Sequence, residues 1–162
     1  MMTYPSKKTL TGLITGLLLI IAYLVYALGN NAPAGENTKA WAVALLIFIG
    51  IGVAAMIVIQ ILFHIGYAIG IAVKERDCDD EQVERMVSSA MVEDERDKQI
   101  GLKSAHIGSI CAGIGFIATL IAFALNFSAV ISLHLLTGSF FMGGLIEGII
   151  SIYLYERGVS HG

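Results

Sequence analysis

The chain has 162 residues, 56% of them hydrophobic and 14% charged, with a mean hydropathy of +0.78. A soluble domain carries about 25% charged residues, so the composition excludes an ordinary soluble fold, while 18 glycines and 2 prolines suit a bundle of membrane helices. The formal charge of −3 comes with no basic face for nucleic acid.

A polar start, MMTYPSKK, precedes an uncharged run over 10–28, about the length that spans roughly 30 Å of hydrocarbon. Ala32-Pro33-Ala34 resembles a small-residue cleavage site, so a cleaved signal peptide is the rival reading. Such signals carry only about 7–15 apolar residues, which favours a retained helix. A polar loop, GNNAPAGENTKA, follows with Asn, Gly and Pro turn chemistry. The second apolar run covers 41–73. As a helix it reaches about 50 Å, so it must tilt or project past the membrane. Trp41 fits an interfacial anchor at its start.

The charged stretch 74–103 comes next, with six basic and ten acidic residues. Within it, Val83, Met86, Val87, Ala90 and Met91 follow helical spacing, so 80–92 reads as a short amphipathic helix with an acidic polar face. That face suits packing beneath the bundle or against a protein partner better than anionic lipid. Asp77-Cys78-Asp79-Asp80-Glu81 lacks the glycine and spacing of a calcium loop and reads as a solvated turn. Glu93-Asp94-Glu95-Arg96-Asp97-Lys98 places acidic residues at the positive end of a helix continuing into the membrane. The third apolar run covers 105–125, the turn Asn126-Phe127-Ser128 reverses the chain, and the fourth run covers 129–155. The expected fold is therefore all-α: a polytopic membrane protein of four helices in two hairpins, joined by a cytoplasmic helical connection.

Lys7, Lys8, Lys74, Arg76, Arg85, Arg96, Lys98, Lys103 and Arg157 fall on one side of this arrangement, and only Lys39 on the other. The positive-inside rule then puts both termini and the charged stretch in the cytoplasm, with the protein in the inner membrane. Cys78 falls on the cytoplasmic side and Cys111 inside a helix, without metal-ligand spacing, so neither a metal site nor a disulfide is expected. IIAYLVYAL echoes IATLIAFAL, and IAVKER echoes IYLYER, as two parallel hairpins or the chance likeness of apolar sequence would produce.

Small residues recur at spacing four: Gly12 and Gly16, Gly66 and Gly70, Gly108 and Ala112, Gly144 and Gly148. This spacing lets helix backbones approach closely, predicting a bundle pinched toward the cytoplasmic half, unless glycine is simply common here. Glu147 is the one carboxylate within an apolar run. It reads either as a proton or cation site or as a carboxylate reaching the interface. Gln60, His64, His106 and Ser109 fall at a similar depth, and with Glu147 would form one polar cluster. Interhelical hydrogen bonding is its plain role, proton coupling the sharper one. His134 lies toward the outside, so only His64 and His106 share a depth at which two histidines could hold a haem; His106 is close to the interface and no attachment motif exists, so no cofactor is expected.

EDERDKQIGLKSA before a membrane helix resembles a family of small uncharacterised prokaryotic membrane proteins with a D-E-R-D-x-x-I-x-x-K-A-like lead-in and a Y-x-x-R-G-like end. The matching residues are Asp94, Glu95, Arg96, Asp97, Ile100, Lys103, Tyr153, Tyr155, Arg157 and Gly158, and Ser104 interrupts the pattern. The resemblance covers 93–158 and implies a cytoplasmic-membrane protein with no established activity, so it supplies no catalytic residues to carry over. No nucleophile–base pair or phosphate-binding loop is visible, so an enzyme is not expected. The expected function is a non-catalytic accessory or regulatory membrane protein contacting a partner through its acidic cytoplasmic segment. The alternative is a small proton- or cation-coupled transporter or channel using Glu147 and the polar cluster. The bilayer, a cytoplasmic protein and further copies of the chain are the expected partners.

Overall fold

A computed structural model describes residues 4–74, 85, 88–89 and 94–157. It contains four long helices: α1 Tyr4–Ala27, α2 Thr38–Lys74, α3 Glu95–Ala124 and α4 Ala129–Arg157. All four are long and apolar enough to cross a membrane, and no strand occurs among the described residues. The expected amphipathic helix over 80–92, with Val83, Met86, Val87 and Met91, lies outside the described residues, as does the acidic run at 77–81. Arg85, Ser88 and Ser89 alone are described there, helical and exposed.

The helices extend beyond their apolar runs because polar caps recruit the flanks. Asn37 caps α2, its Oδ1 accepting from the Ala40 N–H at 3.1 Å. In α3, Asp94 is extended (φ −80°, ψ 174°) and accepts from the Asp97 N–H at 2.7 Å. The Asp97 carboxylate accepts in return from the Asp94 N–H at 3.3 Å, closing a capping box. The charged residues 95–103 are thereby continuous with the apolar helix. At its far end α3 stops in a Schellman turn: Phe127 N–H donates to Ala122 O and Asn126 N–H to Phe123 O, with Asn126 at φ 59°. Ser128 then caps α4 through its Oγ, which accepts from the Ile131 N–H at 3.3 Å.

Side by side, the helices run in the order α2, α1, α4, α3, with α3 packed most extensively along α4. The inner faces are built from small and hydroxyl residues. Ser6, Ser104 and Ser132 are at most 2% exposed, and Thr15 and Thr119 are also buried. Most of these hydroxyls bond the carbonyl four residues back, as Thr119 does to Gly115 and Thr15 to Thr11. Apart from the buried Leu45 and Ile100, most large apolar side chains point outward: Leu18, Val25, Leu46, Leu62 and Ile114 are each 59–69% exposed. This is the reverse of a soluble core.

Close helix approach is concentrated in the α3–α4 pair. A Cβ on Gly143 would lie 2.7 Å from Gly108 O, and one on Gly108 would lie 2.9 Å from Gly143 O. Two turns further along α3, Gly115 faces Ser139 with no room for a side chain. Gly148 lies under Leu13 of α1, where an added Cβ would stand 2.9 Å from Leu13 Cδ1. Gly12 and Gly16 make only ordinary contacts, with Gln60, Met56 and Leu145, whereas Gly66, Gly70 and Gly144 face open space. The constriction is thus a property of one hairpin and of the α1–α4 junction, not of all four helices at one depth.

Candidate functional site

The four helices meet at one level. Gln60 of α2 lies against Gly12 of α1, its Nε2 3.7 Å from where a Cβ would stand. The next residue of α1, Leu13, covers Gly148 of α4. The adjoining Glu147 lays its side chain over Gly108 of α3, where an added Cβ would meet Oε2 at 3.2 Å. Gly108 therefore does two things: it admits the α4 backbone and leaves the groove in which the carboxylate rests.

Gln60 and Glu147 line a common cleft of about 1150 Å³. Its walls are mostly apolar, including Leu19, Val53, Met56, Phe140 and Leu145. Lys8, Asp97 and Lys98 stand at one end of it and Tyr23 at the other. Two hydroxyls on its lining are already engaged: Thr9 donates to Pro5 O at 3.0 Å and Ser104 to Ile100 O at 2.9 Å. The buried Gln60 Oε1, by contrast, has no hydrogen-bond partner among the described residues.

The other members of the expected cluster are elsewhere. His64 shares its α2 flank with Gln60, but its Nδ1 is 2.5 Å from the Tyr4 hydroxyl. There it belongs to a ring cluster in which Tyr4 also packs on Phe63 and Tyr67. His106 and Ser109 are exposed, and the Ser109 hydroxyl donates to Ala105 O at 2.8 Å. The reason is the face that α3 turns inward. Its buried residues are Ile100, Ser104, Gly108, Gly115, Thr119 and Ala122, a helical stripe that leaves 106 and 109 outside. The five-residue cluster thus resolves into a Gln60–Glu147 cleft, a Tyr4–His64 pair and two outward side chains.

The opposite end holds a second tyrosine–histidine pair. His134 Nδ1 lies 2.7 Å from Val130 O, which only accepts, so this nitrogen carries the proton. Nε2 lies 2.6 Å from the Tyr23 hydroxyl. The Trp41 ring meets His134 edge-on at 4.7 Å, and its Nε1 donates to Gly35 O at 3.3 Å. Trp41 is nearly buried rather than a free interfacial anchor.

Three features had no signal in residue spacing. Arg96 donates from Nη2 to Tyr155 O at 3.1 Å, clasping the start of α3 to the end of α4. Gly143, not its neighbour Gly144, makes the backbone contact with α3. Ser139 closes over Gly115. Among the described residues no group of three or more His, Cys, Asp or Glu side chains is placed to hold a metal ion. No protein family, curated protein or solved structure matches the chain.

Proposed function

We propose that the chain is a non-catalytic multi-pass protein of the cytoplasmic membrane that serves as an accessory or regulatory component through its charged connection. Outward-facing leucine, isoleucine and valine on every helix support residence in lipid. The lysine and arginine distribution supports cytoplasmic termini and a cytoplasmic connection.

One observation carries the regulatory reading. The capping box at Asp94 and the Arg96–Tyr155 clasp make the charged lead-in a stiff extension of α3, tied to the end of α4. A partner gripping exposed Glu95 and Lys98 would act directly on the α3–α4 hairpin. The test is a photo-crosslinking residue placed at Glu95 or, as control, at Glu36 in native membranes. A discrete adduct is expected at 95 alone, lost when Asp97 and Lys98 are replaced by serine. No adduct at 95, or equal adducts at both sites, overturns the role.

A second reading, a proton- or cation-coupled carrier, is favoured by Gln60 and Glu147 sharing one cleft. The separation of His64, His106 and Ser109 from that cleft removes the relay such a carrier was expected to use. Ion flux into proteoliposomes that Glu147→Gln abolishes would establish it, and flux unchanged by that substitution would end it.

A further inference from the structure

We propose that the cleft between the helices binds a lipophilic organic cation: an aromatic or alkyl body carrying one positive charge. The cleft, at about 1150 Å³, is slightly larger than the roughly 300–1,000 Å³ usual for small-molecule sites. Its apolar walls suit such a body, and its polar groups select the charge. The Thr9 and Ser104 hydroxyls already donate to their own helix. What remains along the cleft is one formal charge, the Glu147 carboxylate, beside the Gln60 amide and the Ser151 hydroxyl, which are neutral and can donate or accept. A carboxylate at membrane depth is costly without a partner, and a bound cation supplies one.

Lys8 and Lys98 line the end of the cleft that also holds Asp97. Their long side chains reach water there, about ten residues of α3 away from the level of Glu147 and Gly108. An anionic amphiphile would find its charge partners only at that end, and would leave Glu147 facing its tail. The site depends neither on the accessory role nor on transport, because binding alone is read.

The experiment uses the full chain in phosphatidylcholine nanodiscs, with binding to empty discs subtracted. The probes are tetraphenylphosphonium and tetraphenylborate, alike in size and opposite in charge. Saturable calorimetric binding is expected for the cation and not for the anion. Glu147→Gln should weaken cation binding by about ten-fold, the scale of losing one contact to a charged group. Gly144→Leu provides a second variant. Gly144 lines the cleft and nothing lies within 4 Å of an added Cβ, so the new side chain fills the site without disturbing helix packing. It should block binding with an unchanged elution profile and helix content. The proposal is overturned if the wild-type chain shows no saturable cation binding or binds both ions alike. Cation binding that survives in both variants overturns it equally.

Discussion

Gly108 and Gly143 bring two helix backbones into contact through their carbonyl oxygens, and Gly115 leaves room for the Ser139 side chain. Without a hydrophobic drive between helices in lipid, such close packing is a main source of association. Gly143→Leu or Gly115→Val should lower unfolding stability in detergent by about 1–3 kcal/mol, the usual cost of overpacking. Gly66→Leu and Gly70→Leu, which add atoms to open space, should leave stability unchanged or raise it, since glycine costs about 1 kcal/mol in a helix. Equal losses at all four positions would remove the α3–α4 contact from the account. Asn126 sets a second residue-scale limit. At φ 59° it sits in the left-handed region, which costs other L-residues about 1–2 kcal/mol. Asn126→Val should destabilise by about that amount in the same assay, and Asn126→Gly should not.

At the scale of the element, α3 is the most informative helix. Its first turns are charged and the rest apolar, yet it is one uninterrupted helix from Glu95 to Ala124. Asp94 and Asp97 satisfy each other's backbone N–H groups, so the charged lead-in starts as helix rather than as loop. Asp94→Ala should cost about 1 kcal/mol of local helix stability and speed amide exchange at 95–98, whereas Asp94→Ser should retain protection. Exchange equally slow in the alanine variant would show that the Arg96–Tyr155 clasp, and not the cap, holds the turn. α1 plays a different part: it lies between α2 and α4 and covers Gly148 with Leu13. It also carries both tyrosines of the tyrosine–histidine pairs, Tyr4 at one end and Tyr23 at the other.

For the whole molecule, the placement of large apolar side chains outside and small hydroxyl residues inside follows from the proposed solvent. In lipid nothing is gained by hiding leucine, whereas a hydroxyl bonded to its own helix packs closely against a neighbour. The proposed topology gives a direct prediction. With Cys78 and Cys111 replaced, a cysteine at Glu95 should react with an impermeant thiol reagent only from the cytoplasmic side, and one at Glu36 only from the other. Labelling of both from one side would refute the four-crossing arrangement.

Much of the fold was legible in the sequence. The four helices, the turn at 126–128 and the charged lead-in of α3 all follow from contiguous properties: runs of hydrophobicity, turn residues and an acidic helix start. Such properties need no knowledge of what lies alongside. Even the extension of α3 to Glu95 was readable in the acidic residues of 93–98, because capping is local chemistry. The site was less legible, because facing is not local. One residue along a helix turns the side chain by about 100°, which separates Gly143, in contact with α3, from Gly144, in the open cleft. Depth alone grouped Gln60, His64, His106, Ser109 and Glu147. Tertiary structure divided them, because Tyr4 arrives from 60 residues away to bond His64, and because α3 turns its Ser104–Gly108 stripe, not His106, toward α4. Sequence by itself determined that there are four long helices and roughly where their apolar spans lie, while α1 begins six residues before its apolar run. Only the packing of four helices against one another decided that Glu147 and Gln60 share a cleft.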